Sequence, residues 1–411
     1  MIRRDRNHPS IVLWSAGNEI PEQASDNGAE MYKKLASLFH SEDPTRPVTV
    51  ACDNIAADGK PAKIEFLNLL DIVGYNYVDR WHERRELYYS IYRHDHPSWK
   101  MIGTESGSAG SVRANYSLGS STEVVNAGYN SRMIRAEQLW KFVAINPYVI
   151  GDFMWTGIDY LGESRWPSKS ASSGIIDLCG FPKDGFFIYK SQWTKEPVLH
   201  IFPHWNWLGR EGQVIPVLAY TNCDAVELFI NGKSYGEKRQ EFPRQGTSGG
   251  WNSYATPPVN STTADLHLSW DVTYEPGTLK AVGKKNGKIV CTEVIRTTGK
   301  LASIKLTSDC KQITADNQDV AQIRVEVLDA KGNIVPTADN LIKFNLKGNG
   351  KLLGLENGDP SDHEPYNSDQ RKVFNGLGLA IIQAGKTPGK ITLTASGEGP
   401  DGISVEILIL K

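Results

Sequence analysis

The sequence predicts a multidomain protein that joins an α/β part to an all-β part. Within the first 195 of its 411 residues, short apolar runs alternate with stretches whose apolar residues recur at helical spacing. That alternation is typical of parallel sheets, whose strands are buried on both faces. Beyond residue 196, alternating runs are joined by Asn-Gly turns, which are typical of antiparallel hairpins. We therefore expect a partial (β/α)₈ barrel followed by two β-sandwich domains.

Five apolar runs are the expected barrel strands, at residues 11–19, 47–52, 69–74, 100–105 and 148–155. Helical spacing between them predicts helices over 26–42, around 83–92 and around 132–144. A closed barrel of this kind needs eight strands, so we expect this chain to hold strands 4–8. On that basis we expect the C-terminal portion of a longer protein, inactive by itself and prone to associate through its open barrel.

The all-β part divides into two expected domains, over residues 196–299 and 300–411, after a barrel portion over 1–195. In the first, hairpin turns are predicted at Asn231-Gly232 and Asn286-Gly287. In the second, residues 321–328 alternate between apolar and polar side chains. This alternation resembles the immunoglobulin-like repeats of bacterial surface proteins. The expected fold class has two immunoglobulin-like sandwiches, although the two domains do not look like copies of one another.

Composition excludes several classes of function. A formal net charge of −2 leaves no basic footprint for nucleic acid or an anionic membrane. No apolar run approaches the roughly 18 residues of a membrane-spanning helix. The five cysteines are scattered without CxxC spacing, and His94-Asp95-His96 has no further ligand spaced to complete a site. We expect no nucleic-acid or membrane partner, no metal site and no cofactor, although a bound cation cannot be read from the sequence.

Two carboxylates follow expected barrel strands, Glu19 after the first and Glu105 after the fourth, 86 residues further on. Each strand–helix unit of such a barrel has roughly 30 residues, so this gap corresponds to three units. The second glutamate is therefore expected on the opposite side of the barrel mouth. Two carboxylates that face each other across a barrel mouth are the catalytic groups typical of a glycosidase. The plainer alternative is a strand-end glutamate paired with an arginine. The rival carboxylates, none of which ends an apolar strand, are Glu123, Glu137 and Glu163.

Residues 4–11, Arg-Asp-Arg-Asn-His-Pro-Ser-Ile, and residues 14–19, Trp-Ser-Ala-Gly-Asn-Glu, also carry a resemblance. Together they resemble the acid/base signature of glycoside hydrolase family 2, the β-galactosidase and β-glucuronidase family. The resemblance continues through Glu105 and through residues 151–157, so it covers the first 195 residues. The remainder is more loosely similar to the β-sandwich modules that follow the barrel in many members.

The resemblance implies a retaining mechanism on a β-linked oligosaccharide or polysaccharide. Glu19 would be the general acid/base and Glu105 the nucleophile, with carboxyl groups roughly 5–5.5 Å apart. Asn18 corresponds to an asparagine that hydrogen-bonds the sugar 2-hydroxyl.

The resemblance also implies further substrate contacts. A tyrosine that touches the nucleophile would be Tyr77 or Tyr75, and the choice between them is open. Trp155 resembles the tryptophan that floors the sugar subsite, since an aromatic face suits the apolar face of a pyranose. Further cleft candidates, for which a structural role is favoured, are Asp159, Arg113 and Trp166.

The absence of an Asn-x-Lys pair bears on which sugar the protein accepts. Glucuronidases of the family carry an Asn-x-Lys pair after the last strand, whereas residues 174–183 have Lys183 without an asparagine two residues earlier. This argues against a uronic acid and, with the sandwich modules, favours exo-β-galactosidase specificity; mannosidase-type members stay open. A non-catalytic carbohydrate-binding or surface-adhesion protein and an inactive remnant are the alternatives. Such modules accompany exported polysaccharide-degrading systems, so we expect a periplasmic or extracellular location.

Overall fold

The computed structural model of the protein describes residues 1–53, 55, 61–78, 88–107, 109–116, 131–239, 266–397 and 402–411. In these ranges helices and strands alternate as far as residue 193, and strands alone follow. None of the helices in the described ranges combines the length and apolarity needed to cross a membrane.

The α/β part is built on a five-stranded parallel sheet. Each strand pairs in parallel with the next one along the chain. All five expected strands are present: β1 (Trp14–Asn18), β2 (Val48–Cys52), β3 (Ile72–Asn76), β4 (Met101–Gly107) and β5 (Val149–Trp155). Because all five run the same way, their carboxyl ends lie along one edge of the sheet.

Helices flank this sheet, and all but the last of them share its apolar core. The last helix packs into the core of the first sandwich. They are α1 (Ile2–Asp5), α2 (Gly28–Glu42), α3 (Ile64–Leu67), α4 (Tyr88–Asp95), α5 (Ser131–Ala144) and α6 (Asp184–Trp193), with a 3₁₀ turn at Pro21–Ala24. Tyr32 of α2, Phe66 of α3 and Phe142 of α5 pack against Val50 and Met101 of the strands. The helix expected around 83–92 is described only from Tyr88 onward, and sequence periodicity did not predict α6.

A buried polar cluster fixes the start of β1, the strand that leads to Glu19. The Trp14 indole N–H donates to Asp43 Oδ2 at 2.9 Å, and Arg46 Nη1 donates to the same oxygen at 2.5 Å. Arg46 also donates from Nε to the Ile11 carbonyl at 2.6 Å. Hydrogen bonds from Thr45, Trp14 and Arg46 hold the pKa of Asp43 well below its usual value, so its carboxylate stays charged.

The first sandwich, expected over 196–299, consists of a three-stranded sheet in the order β12-β9-β8 and a four-stranded sheet in the order β11-β10-β13-β14. Its strands are β8 (Leu199–Phe202), β9 (Val214–Thr221), β10 (Ala225–Ile230), β11 (Lys233–Arg239), β12 (Leu268–Thr273), β13 (Thr278–Lys285) and β14 (Lys288–Arg296). Both sheets share one apolar core, and Val217 and Leu228 are fully buried in it. The expected Asn-Gly turns have positive φ at both residues, as a type I′ hairpin requires.

The second sandwich, expected over 300–411, has a four-stranded sheet β15-β17-β21-β19 facing a five-stranded sheet β16-β23-β22-β18-β20. Its strands are β15 (Ser303–Ser308), β16 (Gln312–Thr314), β17 (Val320–Leu328), β18 (Leu341–Gly348), β19 (Gly350–Glu356), β20 (Gln370–Lys372), β21 (Leu377–Ala384), β22 (Gly389–Gly397) and β23 (Ile403–Leu410). A short ribbon, β6 (Tyr160–Leu161) with β7 (Ser170–Ala171), lies in the segment between β5 and α6. The α/β part followed by β-sandwiches agrees with the expected fold class.

His200 joins helix α6 to the first sandwich. Its Nε2 lies 2.8 Å from Asp184 Oδ1 at the start of α6, and its Nδ1 lies 3.4 Å from Glu293 Oε1 in β14. Burial by itself would lower the pKa of His200, but the bonds to these carboxylates outweigh burial and raise it from 6.5 to about 9. The imidazole is therefore protonated at neutral pH.

This raised pKa predicts a pH dependence of stability. A histidine whose pKa is higher in the folded state stabilises the fold fully below its unfolded pKa, and that stabilisation disappears as the pH rises through the folded value. We expect the His200 contribution of about 3 kcal/mol to the free energy of unfolding to be lost between pH 6.5 and 9. Urea unfolding of the parent and His200→Gln at pH 6 and at pH 9.5 tests this. The free energy of unfolding should fall between these pH values in the parent and change much less in the variant. An equal fall in both proteins contradicts the prediction.

Candidate active site

Glu19 follows β1 at the carboxyl edge of the sheet. Its backbone N–H donates to the Ala51 carbonyl of β2 at 2.8 Å, which fixes the chain where it leaves the strand. The φ angle of Glu19 is +49°, a left-handed conformation that is uncommon for residues other than glycine. Backbones held in this way cluster at functional sites, where they aim a side chain.

Asn76, the last residue of β3, brings the two expected catalytic carboxylates together. Its side chain is fully buried, and its Nδ2 lies 3.0 Å from Glu19 Oε1 and 3.4 Å from Glu105 Oε2. These two carboxylate oxygens are therefore at most about 6.4 Å apart, the sum of the two distances. Nδ2 also lies 3.0 Å from Asn18 Oδ1, while the Thr104 hydroxyl donates to Asn76 Oδ1 at 2.8 Å.

Tyr77 is the tyrosine that contacts Glu105. Its hydroxyl donates to Glu105 Oε1, and its backbone N–H donates to the Glu105 carbonyl at 2.6 Å. The guanidinium of Arg135 lies 5.1 Å from the centre of the Tyr77 ring. The hydroxyl bond fixes one Glu105 oxygen and stabilises the charged form of that carboxylate.

Tyr75 lies in the apolar core instead. Its side chain is 1% exposed, and its ring packs against Tyr89 and Tyr92 at centroid distances of 5.1 and 6.1 Å. Residues two apart in a regular strand share a face, but these two tyrosines have different surroundings. Tyr77 has a φ of +53°, so the chain leaves the extended conformation and turns its side chain toward Glu105.

Trp155 ends β5 on the side of the cleft next to Glu105. It pairs with Gly107, two residues beyond Glu105, and is 41% exposed. Its indole N–H lies 3.3 Å from the Tyr160 hydroxyl, which in turn donates to Glu163. Burial and the bond to Glu163 raise the pKa of Tyr160, so the phenol keeps its proton. A half-exposed indole face therefore borders the carboxylate pair.

Asp159, one of the weaker cleft candidates, lies in the interior. Its side chain forms an ion pair with the fully buried Lys183, with Nζ at 2.7 Å from Oδ2, and its Oδ1 accepts the Gly174 N–H at 2.9 Å. Burial raises the pKa of Asp159 and lowers that of Lys183. The pair holds the segment after β5 in place, and neither charge reaches the cleft.

Arg113 and Trp166 contact partners other than the two carboxylates. Arg113 is 5% exposed and forms a buried ion pair with Asp177, from Nε to Oδ2 at 2.6 Å. Trp166 is 83% exposed and stacks on His363 of the second sandwich. Arg113 therefore has a structural role, which was favoured for all three weaker candidates. Trp166 is open to solvent.

The rival carboxylates have other partners. Glu137 is buried, and its carboxylate accepts the Tyr220 hydroxyl at 2.9 Å and the Leu266 N–H at 2.7 Å. Glu163 accepts the Tyr160 hydroxyl, and Glu123 lies outside the described residues. Among the side chains that the structure describes, no group of three or more His, Cys, Asp or Glu is arranged to hold a metal ion.

Sequence reasoning missed Asn76, Tyr160 and Thr104 as members of the site. The signal for Asn76 was an uncharged polar residue inside a run that is otherwise apolar, between two tyrosines. Tyr160 and Thr104 carry no such signal, because their contacts depend on segments far apart in the chain.

Known families match most of the chain. Glycosyl hydrolases family 2, TIM barrel domain, matches residues 1–197, and glycoside hydrolase family 2 C-terminal domain 5 matches residues 304–406. A domain of unknown function matches residues 212–291 between them.

Several similar proteins are named as glycosidases. The β-galactosidase BoGH2A of Bacteroides ovatus is 37% identical over 97% of this chain and 49% of its own length. A β-glucuronidase of Formosa agariphila is 26% identical over 98% of this chain and 38% of its own length. The crystal structure of a β-glycosidase from Bacteroides vulgatus superimposes with a TM-score of 0.82 at 31% identity, over 99% of this chain and 52% of that one.

The chain thus spans about half the length, or less, of the curated relatives it matches. Two profiles of one family, matched in the order of the α/β part and the second sandwich, together cover well over half of its residues. The chain belongs to glycoside hydrolase family 2.

Proposed function

We propose that this chain supplies the catalytic carboxylates of a retaining exo-β-glycosidase. The observation that carries the proposal is the position of Glu19 and Glu105 around one buried amide, Asn76. Retaining enzymes hold their carboxyl groups about 5–5.5 Å apart, and inverting enzymes about 6.5–9.5 Å apart to admit a water. The upper limit of about 6.4 Å on one pair of oxygens is compatible with the shorter separation, and the family resemblance supports retention.

In the proposed first step, Glu105 attacks the anomeric carbon and Glu19 protonates the departing glycosidic oxygen. The glycosidic bond breaks, and an ester to Glu105 forms with inverted configuration. In the second step Glu19 takes a proton from water, the water attacks the same carbon, and Glu105 leaves as a carboxylate. Two inversions restore the original configuration. Tyr77 assists because its hydroxyl can bond the leaving carboxylate oxygen.

The sugar contacts follow from the surrounding side chains. Since Asn18 Oδ1 accepts from Asn76, the Asn18 amide nitrogen is turned outward as a donor, which suits the sugar 2-hydroxyl. A bond there strengthens in the transition state. The half-exposed face of Trp155 suits the apolar face of the ring.

Galactoside specificity is the finer part of the proposal. Lys183, the one lysine in the segment where glucuronidases place a carboxylate-binding lysine, is fully buried against Asp159. A cation in that position cannot bind a C6 carboxylate. The similarity to BoGH2A, named a β-galactosidase, also supports a galactoside.

A panel of nitrophenyl β-glycosides, assayed with the product of the full reading frame, tests this specificity. We expect the galactoside to be turned over faster than the glucoside, mannoside and glucuronide, and Glu105→Gln to lose all of this turnover. Exclusive turnover of the glucuronide would reverse the galactoside proposal. Sugar binding without turnover of any glycoside would favour a non-catalytic binding protein.

Asn76 gives a sharper prediction within this function. Removing its amide in Asn76→Ala frees Glu19, Glu105 and Asn18 from their shared donor. Displacing reacting groups by about 1 Å can cost roughly 100-fold in rate, so we expect kcat to fall by about 10- to 100-fold. Steady-state kinetics on the best aryl glycoside measure this. Thr104→Val, which removes only the bond that orients Asn76, is the milder companion, and equal losses in both variants would contradict the assigned role.

A further inference from the structure

Trp166 is the most exposed tryptophan among the described residues, at 83%. An exposed indole offers a large apolar face with a polar N–H at its edge, which suits a ligand that has both kinds of surface. Trp166 lies between the two strands of the ribbon β6–β7, in the segment that leads away from Trp155.

The ring is not loose. One of its faces stacks on the imidazole of His363 in the second sandwich, with centroids 4.8 Å apart and planes 25° apart. The His363 Nε2–H donates to the Pro167 carbonyl at 2.7 Å, which ties the imidazole to the residue after Trp166. Two exposed rings from distant parts of the chain therefore form one fixed aromatic surface, which we call the Trp166–His363 platform.

Stronger contacts hold the two parts of this platform together. Lys169 forms an ion pair with Glu356 of β19, from Nζ to Oε2 at 2.9 Å, and its backbone N–H donates to the Pro360 carbonyl at 2.7 Å. Arg113 donates from Nη2 to the Asn357 carbonyl at 2.9 Å. The second sandwich is thereby fixed against the segment that carries the tryptophan.

The platform continues from the candidate active site. Trp155 borders the carboxylate pair, its indole bonds Tyr160, and Tyr160 bonds Glu163. Trp166 follows three residues later, so the chain can carry it at most about 11 Å further. An enzyme that removes a terminal sugar encloses that sugar, so an aromatic surface outside the pocket can meet only the leaving-group side of the substrate.

We propose that the Trp166–His363 platform is a subsite for a sugar on the leaving-group side of a β-linked oligosaccharide. The inference rests on the proposed exo-glycosidase function. A pyranose presents an apolar C–H face that stacks on an indole, and exposed, prefixed aromatic rings lose little entropy when they bind it. The second sandwich thus contributes to substrate selection through His363, and it favours chains over single glycosides.

The test compares two substrates in the product of the full reading frame: the nitrophenyl β-galactoside and β-1,4-linked galactotetraose. We expect Trp166→Ala to lower kcat/KM about tenfold more on the tetrasaccharide than on the nitrophenyl glycoside, through KM rather than kcat. Trp166→Phe keeps an aromatic face and should restore most of the loss. His363→Ala should cause a smaller loss of the same kind, because the tryptophan loses its support.

The outcomes separate the two proposals. Suppose that the parent cleaves both substrates, and that Trp166→Ala lowers kcat/KM equally on both or leaves it unchanged on the tetrasaccharide. The subsite proposal is then wrong, and the proposed glycosidase function is unaffected. If the parent cleaves neither, the galactoside part of the proposed function fails and the subsite fails with it. Unfolding temperatures of the three variants, expected within a degree or two of the parent, show that the losses do not arise from misfolding.

Discussion

Glu105→Gly is expected to lower kcat on an aryl β-glycoside by about 10⁴-fold or more, the largest effect that we expect of any single substitution in this chain. In the proposed mechanism the Glu105 oxygen bonds to the anomeric carbon, and the Asn76 amide holds this carboxylate beside that of Glu19. Losing the nucleophile removes the covalent intermediate, whereas losing an acid/base group costs about 10²–10⁴-fold. Steady-state kinetics of Glu105→Gly and Glu19→Ala with a nitrophenyl glycoside measure both losses.

Added azide distinguishes the two roles. In Glu105→Gly, azide can occupy the space of the missing carboxylate and attack the substrate directly, so a single inversion yields the α-glycosyl azide. In Glu19→Ala the ester to Glu105 still forms and azide replaces the water, which yields the β-azide. Glu163→Gln is the matched control, since that carboxylate bonds Tyr160 and should keep more than a tenth of the activity. A loss in Glu163→Gln as large as that in Glu105→Gly would contradict the assignment.

Arg113→Ala is expected to cause the largest loss of stability, about 3–5 kcal/mol. The substitution leaves the fully buried Asp177 carboxylate without its cation. It also removes two bonds to the second sandwich, at 2.9 Å to the carbonyls of Asn357 and Phe374. Calorimetry should show the loss in the transition that includes residues 300–411, because those bonds join that sandwich to the α/β part.

The control for Arg113→Ala is Lys390→Ala. Lys390 forms an ion pair with Glu406 at 2.7 Å in the same sandwich, but both side chains are more than half exposed. Exposed ion pairs contribute between 0 and about 1 kcal/mol, so this variant should unfold almost like the parent. Similar stabilities of the two variants would mean that the Arg113 pair does not hold the second sandwich in place.

The strand ends and the two catalytic candidates were readable from the sequence because each depends on a local pattern. Glu19 and Glu105 end short apolar runs, and the parallel sheet brings such ends to one edge. The choice between Tyr75 and Tyr77 was not readable, because the left-handed backbone at Tyr77 breaks the strand alternation. A single residue with positive φ thus decided which tyrosine reaches Glu105.

Other assignments depended on partners that are distant in the sequence. Asp159 follows the last strand like a cleft residue, and only its contact with Lys183, 24 residues later, places it in the interior. The platform joins Trp166 to His363 across almost 200 residues, including the whole first sandwich. Periodicity and spacing describe single segments of the chain, so they do not predict contacts between domains.

The stereochemistry of hydrolysis tests most directly whether Glu19 and Glu105 act in succession on one anomeric carbon. Proton NMR of a nitrophenyl β-galactoside, recorded in the first minutes of hydrolysis by the product of the full reading frame, shows which anomer is released before mutarotation. Two displacements at Glu105 predict that β-galactose appears first. Release of α-galactose first would show a single displacement by water and would contradict the nucleophilic role of Glu105.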